Sequence, residues 1–356
     1  MELTVLDSSF RRAKMVENWN SLVWTERYSQ NGDFELISYN ISEIMSLLPL
    51  GGALDPPCVV AIRESPVPML VENHKLEKPK NSAPRIVTTG RTFETVLDRR
   101  VTIRAVTSGV ARAPWIIEAT SAALAAYTAA KTIIVDGAAT SLDIIPEINL
   151  LNGVSDAGAT QKYPVEPKEL YGWLLETLAL GKYGLKSSIP VSASDVKITV
   201  QTYKGTDRRT QVVFDVTLDQ FDEAQYLLSK LGYKNTMITA TTNGMETSNT
   251  GSAVGGLARR VEYQDISSEV TLAAGTDLTN LTINKGKVAL ADLQPVSLFS
   301  GEIAAKQAAQ YGVDYFLGDT VKLAGEYGLT QDVRIAEFVR TEDATGVKAF
   351  PTFEAA

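Results

Sequence analysis

The sequence holds one cysteine, Cys58, and one histidine, His74, in 356 residues. A lone cysteine excludes an intrachain disulfide framework and zinc sites that need two or four thiolates. A lone histidine excludes zinc sites with two or three imidazoles and leaves one candidate for any histidine-based triad. That candidate sits in the charged run Glu72-Asn73-His74-Lys75, which reads as a surface loop. Cys58 stands in an apolar run and reads as a small core residue. No stretch of ~18 apolar residues occurs. The nearest, 119–135, is interrupted by Thr120, Ser121, Thr128 and Lys131. The opening Met1-Glu2-Leu3-Thr4 lacks the charged and apolar regions of a secretory signal. The chain is therefore expected to be made soluble, and to leave a cell only within an assembly or by lysis. Basic excess is also missing. Lys and Arg number 34 against 42 Asp and Glu, a net charge of −8, which argues against a general nucleic-acid binder.

Catalytic signatures are absent as well. There is no His-Glu-x-x-His, no Gly-x-Ser-x-Gly and no phosphate-binding loop. The glycine-rich 251–256 lacks the Lys-Ser/Thr of a phosphate cradle and reads as a flexible loop. With 42 acids many carboxylate pairs are possible, but no spacing singles one out as a glycosidase pair. No cofactor is implied, and no repeat of 20–50 residues is visible.

What is present is a chain able to fold. Hydrophobic residues make up 44% and charged residues 21%, enough for a core and too apolar for disorder. The length predicts two to three domains. The first hundred residues read as β. The aromatic and β-branched run 19–28, the Asn31-Gly32 turn and the alternating 33–37 predict a hairpin. Short strands are expected at 58–62 and 85–90, and a short helix capped by Thr92 over 92–99. The alanine-rich 115–131 predicts a helix with Pro114 at its first position. A second helix is expected from Glu166 to Leu180, with Leu170, Trp173, Leu174, Thr177 and Leu178 on one face and Gly181 and Gly184 ending it. From Pro190 the chain returns to β. Residues 196–203 and 210–216 read as two strands turned by Gly205-Thr206-Asp207. Further strands are expected at 235–240, 333–339 and near Phe350, and 241–256 as a loop or hairpin tip. The alanines of 301–310 favour helix, whereas 296–303 also fits a strand beside 311–316.

Three arginine doublets stand out: Arg99-Arg100, Arg208-Arg209 and Arg259-Arg260. Each has an acid within three residues. Local ion pairs are the simple reading, worth ~0–1 kcal/mol when exposed. Contacts between subunits are the functional one, because arginine suits desolvated pairing.

Six blocks in order resemble the siphophage tail hub proteins, the minor tail or tail-associated (Tal-type) family. They are Asn18 to Tyr28 with Gly32-Asp33-Phe34-Glu35-Leu36; Gly90-Arg91-Thr92-Phe93-Glu94 through Arg100; Gly205 to Arg209 with Val213-Phe214-Asp215; Leu257 to Asp265; Asp314-Tyr315-Phe316-Leu317-Gly318-Asp319-Thr320-Val321; and Gly346 to Phe353. The likeness runs from about residue 4 to 354 and is poorest over 105–163. It also tips 296–303 to strand.

The resemblance implies a mixed α+β, β-dominated fold of the baseplate-hub kind, with two tail-tube-like β-barrel domains and helical or α+β inserts. The expected division is 1–105 for the first barrel, 106–189 for a helical or α+β domain, 190–240 with 296–356 for the second barrel, and 241–295 for an insertion. It implies a homotrimer whose ring adapts the sixfold tail tube and distal tail protein to a threefold tip. It also implies tape-measure protein as a neighbour, a separate fibre, spike or receptor-binding protein, and genome DNA that passes without specific binding. An acidic lumen would hold phosphate weakly. The other readings are a receptor- or carbohydrate-binding tail protein, for which Trp115 or Tyr163 would be the aromatic platform, and a peptidoglycan hydrolase.

Overall fold

The computed structural model describes residues 1–51, 56–80, 82–99, 101–102, 115–119, 145–152, 161–165, 168–180, 182–190, 196–215, 221–242, 244–267, 276–291, 293–303, 309–325 and 330–355. Strands dominate. The first seven are β1 (Leu3–Leu6), β2 (Arg12–Val16), β3 (Ser21–Arg27), β4 (Asp33–Ser38), β5 (Val59–Ile62), β6 (Met69–Glu77) and β7 (Arg85–Thr92). They join four strands from the far end of the chain in one eleven-stranded sheet. Its order is Val213–Asp215, Thr320–Ala324, Thr330–Asp343, then β3, β4, β7, β6, β5, β1 and β2, with Gly346–Ala355 also paired to Thr330–Asp343.

The β3–β4 hairpin forms as its turn predicts, with Thr25 opposite Asp33 and Trp24 opposite Phe34. Its strands alternate, so Leu22, Trp24, Phe34 and Leu36 are buried. The other side of β3 pairs antiparallel with the late strand, Arg27 opposite Glu337 and Leu22 opposite Glu342. Glycine is required in β7: a Cβ on Gly90 would lie 1.7 Å from the Leu70 carbonyl oxygen.

Three apolar clusters divide the interior. One, inside the N-terminal strands, gathers Leu3, Val16, Leu22, Trp24, Ile44 and Met69. A second, among the C-terminal strands, gathers Tyr28, Phe214, Tyr315, Val321, Ile335 and Phe353. The third lies where the helix Leu170–Leu180 packs. Its Leu170, Tyr171, Leu174 and Leu178 meet Phe93, Val96 and Leu97 of the 3-10 segment Phe93–Arg99, together with Ile198 and Val200. Each large side chain buried this way contributes ~1.5–3 kcal/mol.

Several expectations are corrected. Trp115–Ala119 is a strand paired antiparallel with Gln161–Val165, not the start of a helix. Alanine propensity lost here to pairing of the β-branched Ile116 and Ile117; residues 120–131 lie outside the described residues. The strands Ile198–Tyr203 and Val213–Asp215 do not form a hairpin. The first pairs with Gly184–Ser188 and Ile148–Asn152, the second runs parallel to Thr320–Ala324. Val296–Ile303 is a strand, but its partner is Phe221–Ser229, and 311–316 is a set of turns closed by a Tyr311–Tyr315 bridge. His74 stands in β6, not in a loop. Thr92 does not cap: its hydroxyl accepts from the Gly32 N–H at 3.1 Å. Gly184 opens a strand, and Gly181 lies outside the described residues. Of the two readings of 241–256, loop or hairpin tip, the second is nearer: Gly244–Asn249 pairs antiparallel with Thr236–Thr241. The helix Thr276–Ala291 carried no sequence signal that stood out.

Candidate functional site: the junction of the sequence blocks

Four of the six ordered blocks meet in space. Tyr28 ends the first. Its ring, 1% exposed as a residue, lies against Gly318 of the fifth, where a Cβ would come within 2.2 Å of the ring. Gly318 has φ +84°, a conformation that glycine adopts without strain. Gly205 of the third block packs on the Gly318 carbonyl, with a notional Cβ at 1.8 Å. The Tyr28 hydroxyl donates to the Lys182 carbonyl at 2.7 Å and accepts from the Gly205 N–H at 3.3 Å.

Asp319 is the hub of this junction. Its carboxylate accepts from the Thr206 N–H at 2.7 Å, from Arg208 Nε at 2.6 Å and from the Phe316 N–H at 3.0 Å. The Asp319 side chain is 4% exposed, so these donors replace lost water. Backbone bonds complete the lock: the Thr320 N–H donates to the Thr206 carbonyl, and the Ile335 N–H to the Asp319 carbonyl.

The second block enters from the side. Arg91 is held by Glu72 at 2.7 Å and by Asp98 at 3.3 Å. Both carboxylates raise the pKa of the guanidinium further. Glu94 is buried and accepts from the Ser187 hydroxyl at 2.5 Å. Burial pushes the Glu94 carboxyl above its ordinary value, against the lowering by its hydroxyl partners. Glu26 and Arg340 form a buried ion pair, and Arg340 Nη2 also donates to the Glu64 carbonyl at 3.3 Å. The Arg340 guanidinium lies 4.6 Å from the Phe338 ring centre, and Phe338 stacks on Tyr311 at 3.7 Å. A half-open cavity of about 560 Å³ lies among Glu26, Glu94, Lys186, Tyr203, Tyr311 and Arg340. Desolvation lowers the pKa of Lys186.

The five expected contact arginines among the described residues are not brought together. Arg208 and Arg209 serve their own chain. Arg209 binds Asp207 at 2.5 Å and Asp332 at 2.6 Å, and the side-chain and backbone hydrogen bonds from Arg209 hold the Asp207 carboxyl down at about 2. Arg260 donates to the Lys230 carbonyl at 2.7 Å, and Glu262 pairs with Lys234 instead. Arg99 and Arg259 are exposed, and Arg100 lies outside the described residues. Sequence reading missed Asp319 as the partner of Arg208, because the acid next in sequence, Asp207, was the obvious choice. The recurring Gly-Asp of the fifth block was the available signal.

The arrangement orders backbone around Asp319 and Tyr28. The His74 nitrogens are held by Thr88 Oγ1 at 2.9 Å and the Leu48 carbonyl at 2.7 Å. Among the described residues no group of three His, Cys, Asp or Glu could hold a metal ion. No helix among them is long and apolar enough to cross a membrane.

The profile of the siphovirus ReqiPepy6 Gp37-like proteins matches residues 2–353. The chain belongs to that siphovirus tail protein family. It is a structural protein of the virion tail. No curated protein sequence matches it. Solved structures share its fold over nearly their whole length. The prophage MuSo2 43 kDa tail protein from Shewanella oneidensis is 16% identical, with a TM-score of 0.59 over 100% of this chain and 98% of that one. The tail protein from Neisseria meningitidis MC58 is 12% identical, with a TM-score of 0.58 over 99% and 95%. Prophage tail protein gp18 from Listeria monocytogenes EGD-e is 12% identical, with a TM-score of 0.54 over 100% and 95%. At such identities the likeness is one of fold.

Proposed function

We propose that this tail protein is a non-enzymatic hub of the tail tip. Three copies form a ring that joins the sixfold tube and distal tail protein to a threefold tip, and the genome passes through it. The observation that carries the reading is the single sheet with two separate cores, one among β1–β7 and one among the C-terminal strands. Two β units in one rigid chain let three chains present six similar faces. On this reading the first barrel-like unit spans 1–105, and the second is built from 190–240 and 296–356. The 106–189 and 241–295 segments are inserts between them. The junction at Asp319 fixes the angle between the two units, which a ring of defined diameter requires. Fibre, spike or receptor-binding functions belong to other polypeptides at the tip. Among the doublets, the exposed Arg99 and Arg259 are the candidates for contacts between copies.

The test is the solution mass of the purified chain by light scattering, with negative-stain images of the same sample. A mass near three times 38.5 kDa and rings with a central hole are expected. A monomer that also fails to associate with distal tail or tube proteins would overturn the hub.

A further inference from the structure

The half-open cavity of about 560 Å³ at the junction contains one cation that the fold leaves without a counter-ion. Its other charged groups have their contacts. Arg340 pairs with Glu26, which also accepts from the Tyr311 hydroxyl at 3.3 Å. Arg208 pairs with Asp319 at 2.6 Å, and Arg27 with Glu337 at 2.5 Å and Asp33 at 3.0 Å. Lys204 lies over the Tyr183 ring at 5.2 Å. Glu94 accepts from the Ser187 hydroxyl, and burial favours its neutral form. Glu64 lines the cavity but is exposed, and it accepts the Glu2 N–H at 3.4 Å.

Lys186 is the exception. The strand Gly184–Ser188 pairs antiparallel with Ile198–Tyr203 and sets Lys186, half-buried, opposite Gln201. Its ammonium lies 4.6 Å from the Tyr203 ring centre in the cavity wall. Among the described residues it has no carboxylate partner and no hydrogen-bond acceptor. A ring face offsets part of a cation's lost hydration but supplies no lone pair for its three N–H donors. Burial disfavours this charge, against the support of Glu26. An ammonium partly withdrawn from water without a counter-ion is costly, and an anion that reaches it gains charge-assisted hydrogen bonds.

The surroundings select the anion. Glu26 and Glu94 line the same cavity, so a second negative charge on a ligand would be repelled. One carboxylate matches one ammonium, and a phosphate dianion does not. Beyond the ammonium the wall is apolar: Val67, Leu185, Leu317 and Phe316, the last 43% exposed. An apolar cavity of this size with a few polar groups is the common form of a small-ligand site. We propose that this cavity binds a monocarboxylate on an apolar body, with the carboxylate on Lys186 and the body against Phe316 and Leu317. A small free acid and the C-terminal end of an apolar peptide present this same chemistry. The wall is built from the β5–β6 connection, the Gly184–Ser188 strand and the Asp319 junction, so an occupant touches all three and stabilises the fold by mass action. Such a site is independent of whether the chain forms a ring.

The experiment titrates the full-length chain with phenylacetate, with N-acetyl-Ala-Ala-Phe, with the amides of both and with inorganic phosphate. It reads the melting temperature and, by mass spectrometry, the rate at which acetic anhydride labels Lys186. Both acids are expected to raise the melting temperature and to slow labelling of Lys186 about tenfold at saturation, and the amides and phosphate to do neither. Lys186→Met is expected to melt like the unliganded wild type and to lose the shift, and Lys186→Arg to recover it. Should Lys186→Met fail to fold, the labelling of the wild type still decides. A peptide acid that binds about tenfold more tightly than phenylacetate would assign the site to a chain end, and equal binding to a small acid. Acids that protect Lys186 no better than their amides or than phosphate would overturn the proposal. So would a Lys186→Met variant that keeps the full shift.

Discussion

Asp319 gathers three donors, two from the distant Thr206 and Arg208 and one from nearby Phe316, on a carboxylate that is 4% exposed. Asp319→Ala strands Arg208 and two backbone N–H groups in a largely buried place. A loss of about 3–5 kcal/mol is expected in urea denaturation, with a smaller loss for Asp319→Asn. Glu94 gives a prediction with a pH sign. Burial raises its folded pKa above the unfolded value. Its contribution is therefore whole below the unfolded pKa and is lost as pH rises through the folded one. Glu94→Gln keeps an acceptor for Ser187 without the charge. Its melting temperature is expected to exceed that of the wild type at pH 8 and to lose that margin at pH 5. Cys58 gives a third. Burial pushes its thiol to about 11, leaving roughly a thousandth as thiolate at pH 8. Alkylation of the native protein is expected to be about two orders of magnitude slower than in denaturant. Equal rates would show Cys58 to be solvated.

The elements that were readable in the sequence are those whose reasons are local. Asn31-Gly32 forces the β3–β4 hairpin. The helix Leu170–Leu180 buries Leu170, Leu174 and Leu178, as its spacing requires; Trp173 and Thr177 have side chains outside the described set. Elements whose reasons are distant were not readable. Trp115–Ala119 becomes a strand because Gln161–Val165, some 45 positions away, offers a partner. Thr276–Ala291 is helical despite its threonines and Gly286, because that glycine lets it seat on Thr239 and Ser248. The junction was half legible: its glycines and Asp319 stood in recognisable blocks, but only the fold shows Gly205 lying on Gly318. At this scale Gly90→Ala is expected to be the most damaging small substitution, since its methyl would enter the Leu70 carbonyl. A loss above ~4 kcal/mol, read as insolubility or a collapsed denaturation midpoint, is expected. Leu178→Ala empties a buried site and is expected to cost ~2–5 kcal/mol by the same assay.

The whole molecule is bound together by its ends. The Met1 ammonium pairs with Glu342, and Arg27 pairs with Glu337 at 2.5 Å across 310 positions of chain. β3 has only β4 beside it until Thr330–Asp343 arrives to pair with its other edge. During synthesis, then, β3 waits through the 310 positions that separate Arg27 from Glu337 before its second edge is covered. At ~5–20 residues per second, that interval is on the order of tens of seconds. Contacts this distant along the chain make for slow closure and an aggregation-prone interval. The pairing that joins both ends of the chain in one sheet also makes its birth the moment of greatest exposure, when a chaperone or a neighbouring nascent chain can reach the bare edge first.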